Sequence, residues 1–196
     1  MINFDRRSLS KENSHKFAKE LLKRIYGGRY RKLKVDDRPD LKYLKKGFGV
    51  EVTRAVNGKK LKMLKDFLCG DLQDDELFEY KENMLKEFEK ETHEEKLKQI
   101  KKIYDQKIGK LNNGNYDCTP NCDLLIYVSL KGKVNLKEIQ KLFKTTKRNF
   151  YKIYLVAYDN LYEFDLINKT HTTIPYQTPK INYKEKALKK VKFYWL

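Results

Sequence analysis

The sequence predicts an α/β domain in which a mixed central sheet is flanked by helices and interrupted by a long helical insertion, and three observations carry that prediction. Residues 123–130 (DLLIYVSL) are a nearly continuous apolar run, the pattern of a strand buried on both faces in a parallel or mixed sheet. A helix start at Asn135 and Glu138 follows, and the chain returns to strand at Tyr151–Tyr158, so strand, helix and strand within about 35 residues read as a right-handed crossover unit. Between this unit and an earlier strand-like region, apolar residues recur at helical spacing in two stretches, at Leu77, Met84 and Phe88 and then at Leu97, Ile100, Tyr104, Ile108 and Leu111.

Taken in order, residues 10–26 predict a first helix. Phe17, Leu21, Leu22 and Ile25 form its apolar stripe, Ser10 or Ser14 can cap it, and Gly27-Gly28 ends it. Residues 29–34 are basic and turn strand-like at Leu33 and Val35. Leu41 and Tyr43 then alternate with lysines as a half-buried strand does, and Lys45 to Gly47 is a turn. Residues 48–56 are strand: Phe48, Val50, Val52 and Arg54 point one way, and Gly49, Glu51, Thr53 and Ala55 the other. After the Asn57-Gly58 turn, Leu61, Leu64 and Leu68 mark a short helix. Within the insertion, residues 71–111, no apolar residue lies between Phe88 and Leu97, so two helical segments or one helix with a solvated middle are expected, projecting as an arm or pairing with a second copy. Residues 112–115 break that helix. Leu161 to Ile167 continues antiparallel after the Asp159-Asn160 turn. Residues 180–196 interleave lysines with Tyr183, Phe193, Tyr194 and Trp195, either to stack on unpaired bases or to dock as a final amphipathic helix.

At 196 residues the chain suits one domain, 1–196. Its net charge of +17 is unevenly spread: residues 71–97 hold eleven acids against four lysines, a local −7, which leaves about +24 on the rest. Such a field attracts a polyanion, so nucleic acid is the expected partner, although a lysine-rich composition alone also produces it. Cys69, Cys118 and Cys122 are odd in number, and C-x-x-x-C is not the usual zinc spacing, so three reduced thiols are expected. No run of 18 apolar residues and no signal-peptide core at the start is found, which predicts a cytoplasmic protein without a membrane partner. His15, His93 and His171 have no Ser or Cys partner in sequence, and no glycine-rich phosphate loop is present.

Glu51 is the residue that asks for an explanation, because an ionised carboxylate in a half-buried strand needs a cation, a donor or solvent. It is either a polar-face residue or half of a metal site, since two carboxylates on neighbouring strands can share a divalent cation. Pro39-Asp40, ten intervening residues and then Glu51-Val52-Thr53 resemble the core motif of the PD-(D/E)XK nuclease superfamily, the restriction-endonuclease-like fold. The resemblance covers positions 14–56 well and the remainder by order of elements.

That resemblance implies a magnesium- or manganese-dependent endonuclease, a hydrolase of DNA or RNA. Asp40 and Glu51 are implied as metal ligands, joined by Glu20 from the first helix and the backbone carbonyl of Val52. The motif places a lysine two residues after the Glu, where this chain has Thr53; a lysine from elsewhere, Lys16, Lys59, Lys60 or Lys62, is the expected substitute. Arg29, Arg31, Arg38, Arg54, Lys59 and Lys60 are the candidate phosphate contacts, while Asp36 and Asp37 are turn formers. Two other expectations stand beside this one: a nucleic-acid-binding protein on the same fold that has lost its chemistry with the lysine, and an adaptor that dimerises or binds a partner through helices 71–111.

Overall fold

The computed structural model describes residues 11–177 except 57, 70–75, 77–78, 81, 84–85, 88–89, 119–120, 131–133, 146–148 and 158–159. The side chains of residues 11, 12, 61, 64, 65 and 67–69 also lie outside that description. The readings of 71–75, of the Leu61, Leu64 and Leu68 stripe and of the aromatic C-terminus therefore fall outside the described residues.

Four helices and seven strands are present among the described residues. They are α1 (Lys11–Tyr26), β1 (Lys34–Val35), β2 (Leu41–Tyr43), β3 (Phe48–Arg54), α2 (Gly58–Cys69), α3 (His93–Asn112), β4 (Asn121–Tyr127), α4 (Leu136–Leu142), β5 (Lys152–Val156), β6 (Asn160–Asp165) and β7 (Thr170–Pro175), with short 3-10 turns at Gly28–Lys32 and Leu44–Lys46. The strands form one sheet in sequence order, β1 to β7. It is mixed: β2 runs antiparallel to β3, with Leu41 opposite Val50, and β3, β4 and β5 run parallel, with Glu51 opposite Leu124 and Leu124 opposite Ile153. β6 and β7 add antiparallel.

The sheet has a helical layer on each face, and the period of two along β3 decides which residue meets which layer. Phe48, Val50 and Val52, with Leu125, Tyr127, Tyr154 and Val156, pack against Phe17, Ala18, Leu21 and Leu22 of α1. Ala55, Leu124, Ile126, Ile153 and Leu155 pack against Leu97, Ile100, Tyr104, Ile108 and Leu111 of α3 and Ile139 of α4. Gly27 and Gly28, at φ 59° and 43°, end α1 in a conformation that side chains resist.

Two expectations are corrected here, and one is narrowed. Within the insertion 71–111, expected to project as an arm or to pair with a second copy, the apolar stripe from Leu97 to Leu111 lies in the chain's own core, because its three-four spacing matches the apolar face of β4 and β5. Of the two forms expected for the gap before Leu97, the chain takes the break between helical segments: Thr92 caps α3, accepting from the N–H of Glu95 while Glu95 accepts from the N–H of Thr92. Cys118 and Cys122 are joined as a disulfide, with Cα atoms 5.4 Å apart and both residues fully buried, so these two are not free thiols. β7 went unforeseen because THTTIP lacks the alternation of a half-buried strand and lies mostly exposed at the sheet edge. No helix of the described residues is long and apolar enough to cross a membrane.

Candidate active site

Asp40 immediately precedes β2, and continuing the β2–β3 register by one step sets it across from Glu51. Here the ladder stops being backbone. The Asp40 carboxylate takes over, Oδ2 accepting from the Val52 N–H at 3.0 Å, so an otherwise orphaned donor in the sheet is satisfied by a side chain. The other oxygen, Oδ1, lies 3.4 Å from Nε2 of His15 on α1. Asp40, His15 and Glu51 are all buried.

Packing fixes where this hairpin sits. Pro39, before Asp40, lies over Gly49 of β3, where an added Cβ would come within 2.3 Å of the proline ring, 3.0 Å of the Leu41 carbonyl and 3.1 Å of the Cys118 side chain. Only glycine leaves that space, so the Pro-Asp pair and Gly49 are one packing unit.

Glu51 points to the α3 face, as the strand period requires. Its Oε1 is 2.5 Å from Nζ of Lys107, whose side chain is 15% exposed against 8% for Glu51. Lys107 is on the inner side of α3 because its helical neighbours Tyr104, Ile108 and Leu111 are core residues. Tyr116, in the loop after α3, is buried with its ring against Phe150. Burial first, and then the charge of Glu51, push its phenol well above the ordinary tyrosine range, with Asp40 adding in the same sense. Both carboxylates therefore act on one hydroxyl, which places Asp40 and Glu51 in one electrostatic neighbourhood. The same loop is tied to the hairpin by Lys42 Nζ and Asp117 Oδ2 at 2.6 Å and by the Asp117 N–H donating to the Arg38 carbonyl at 3.3 Å. The Lys42 hydrogen bond and charge hold the Asp117 carboxyl below its usual range.

The other residues named from sequence are placed as follows. Glu20 is turned to Lys23, 2.9 Å away. Thr53 is half-buried on β3, opposite Ile126. Lys59 is exposed and pairs with Glu87 at 2.9 Å, and Lys60 is buried against Glu91. Arg54 is half-buried, and desolvation lowers its guanidinium below the ordinary range. Arg31 and Arg38 are exposed. Arg29 lies over the Phe48 ring, 3.9 Å from its centroid. His15, Lys107 and Tyr116 are the site residues that sequence reasoning missed; the only signal for His15 was a histidine on the helix that precedes the Asp40 hairpin.

A second polar cluster sits on the α1 face at the start of β4. Asp123 is fully buried and accepts from the Tyr30 hydroxyl at 3.0 Å, from Arg29 at 3.3 Å and from the Lys152 N–H at 3.1 Å. Burial pushes its carboxyl up to about 6, against the opposing pull of Arg29, Tyr30 and Lys152.

Among the described residues, no three His, Cys, Asp or Glu side chains gather as a ready cage for a metal ion. Comparison with protein-family models, with curated proteins and with solved structures finds no match.

Proposed function

We propose that this chain is a metal-dependent nuclease that hydrolyses phosphodiester bonds of DNA, built on a restriction-endonuclease-like sheet. The observation that carries the reading is the pairing of two buried carboxylates, Asp40 and Glu51, on adjacent strands at the point where Asp40 replaces backbone in the ladder. Magnesium characteristically takes one or two carboxylates and completes its octahedron with waters and phosphate oxygens, so a full protein cage is not needed. Asp40 and Glu51, joined by the Val52 carbonyl, would be the oxygen donors for that ion or for manganese. When bound, the ion supplies Lewis-acid polarisation of the phosphate and a more acidic water.

The chain's own residues do the positioning. The Val52 N–H and His15 fix the rotamer of Asp40, and Lys107 fixes Glu51. Arg31 and Arg38 are exposed on either side of the short β1, which leaves both available to a phosphate backbone. The total charge of +17 favours such a partner and predicts binding that weakens steeply with salt.

The test is cleavage of single- and double-stranded DNA and RNA with magnesium or manganese, using wild type, Asp40→Asn and Glu51→Gln. Metal-dependent cleavage lost in both folded variants supports the proposal; cleavage retained by both refutes it. Thr53 favours a second reading, a nucleic-acid-binding protein without turnover, because a hydroxyl brings no cation to the position it occupies. That reading expects salt-dependent binding that neither metal nor the two substitutions change.

A further inference from the structure

The Cys118–Cys122 bond joins a fixed point to a loop. Cys122 belongs to β4, where it lies opposite Gly49 of β3 and its carbonyl accepts from the Tyr151 N–H at 2.9 Å. Cys118 stands outside the sheet, in the connection between α3 and β4. Its Cβ shares with Pro39 the space over Gly49, and the two residues before it reach the surroundings of both acids. Tyr116 lies beside Glu51, while Asp117 holds the Lys42 ammonium and donates its N–H to the Arg38 carbonyl, two residues before Asp40.

The bonded cysteines are only four positions apart in sequence. A crosslink that closes so short a ring withholds less entropy from the unfolded chain than a long one does, so its constraint is chiefly local. Two polar ties between the loop and the hairpin are made by Asp117, whose side chain is 67% exposed, and ties of that kind open without unfolding the sheet.

We propose that Cys118–Cys122 is a reversible redox latch on the site. Oxidised, it clamps residues 113–118 onto the Pro39–Asp40 hairpin and keeps Asp40 and Glu51 in register. Reduced, it lets that loop lift and the two acids loosen while the sheet stays intact. The reductant is a dithiol, admitted when the ties of Asp117 open and bare a sulfur. Its thiolate attacks to form a mixed disulfide and its second thiol completes the exchange, so two electrons and two protons pass to the cysteines and the dithiol leaves as a disulfide. The latch acts on the geometry of the two acids, whatever chemistry they perform.

The Val52 N–H is the reporter, because it donates to the Asp40 carboxylate. Dithiothreitol is added to the folded, air-oxidised chain, iodoacetamide traps the thiols for counting by mass spectrometry, and hydrogen exchange is followed by NMR. Cys118 and Cys122 should be reduced in native buffer. The Val52 and Asp117 amides should then exchange about thirtyfold faster, the entropy of so short a ring expressed as an opening constant, while the Leu125 amide inside β4 keeps its protection. Asp117→Asn should speed reduction about threefold by weakening the tie to Lys42. Cys118→Ser with Cys122→Ser should show the reduced pattern without reductant; if that variant does not fold, reduced wild type alone carries the comparison.

These results, reversed by oxidised glutathione, support the latch. Free thiols at 118 and 122 in the air-oxidised chain overturn it, as does reduction that needs denaturant, a reduced state that oxidised glutathione cannot reverse, or an Asp117→Asn chain reduced no faster than wild type. Acceleration shared equally by Leu125 also overturns it, since the bond would then be a staple for the whole fold, and so do amides that do not respond.

Discussion

Lys60 of α2 and Glu91, just ahead of α3, meet with Nζ 2.8 Å from the carboxylate, and their side chains are only 6% and 5% exposed. This is a dry ion pair between α2 and the segment that leads into α3 rather than a surface contact. Removing one partner strands the other charge, so Lys60→Met should destabilise the protein by about 3–5 kcal/mol, whereas Lys60→Met with Glu91→Leu should come close to wild type. Urea denaturation of the three proteins measures it, and equal losses in the single and double variants would contradict it.

Asp123 sets a pH dependence whose sign runs against the common carboxylate case. Its folded-state pKa of about 6 lies above the ordinary value of 3.8, because burial penalises the charge more than Arg29, Tyr30 and Lys152 relieve it. The native state therefore holds a proton that the unfolded chain has lost. The contribution is fully present below the unfolded value and is lost as pH rises through about 6, on the order of 3 kcal/mol in total. Relative to Asp123→Asn, wild type should lose stability between about pH 4 and about pH 7, as followed by urea melts; a difference that stays flat across that range would count against it.

The Thr92–Glu95 capping box starts the helix that carries Lys107. Thr92→Ala removes the oxygen that accepts from the Glu95 N–H and should cost about 1 kcal/mol, with fraying of the first turn of α3. Hydrogen exchange should show faster exchange in that turn, and unchanged protection there would refute the assignment. Lys107 is four turns further along, so its contact with Glu51 should survive in the folded fraction.

Gly49→Ala tests the packing unit under Asp40. A methyl there collides with Pro39, and because the proline ring, the Leu41 carbonyl and Cys118 all crowd it, the hairpin must shift. The expected loss is about 1–3 kcal/mol, together with weaker manganese binding, since Asp40 follows Pro39. A variant as stable as wild type, with unaltered metal affinity, would show that the close approach is dispensable.

Much of this fold is written in local pattern. The stripe Phe17, Leu21, Leu22 gave α1, the run from Leu124 to Tyr127 gave a central strand, Asn135 and Glu138 gave the start of α4, and the alternation around Glu51 put that acid on the opposite face from Val50. The Asp40 and Glu51 pair was legible because both lie on one hairpin, where register follows from a short turn. Lys107 was not, because it is one of many lysines on exposed helical faces and only the docking of α3 distinguishes it. His15 and Tyr116 were hidden for the same reason: each reaches the site through the packing of a different element, α1 or the loop after α3. Asp123 was read as the edge of an apolar run, and nothing in its neighbours announces that Arg29 and Tyr30, about ninety residues earlier, close over it.

The sheet order from β1 to β7 repeats the order of the chain, and this has a bearing on biosynthesis. A strand leaving the ribosome always finds its neighbour already made, and none has to be inserted between two that are paired. The hairpin that carries both acids is complete before α3 is translated, so Asp40 and Glu51 first meet each other in water, as two like charges with no lysine between them. The arrival of α3 then halves the net charge of that pair by setting a lysine against Glu51, and closure of this corner of the molecule waits on the residue that brings it.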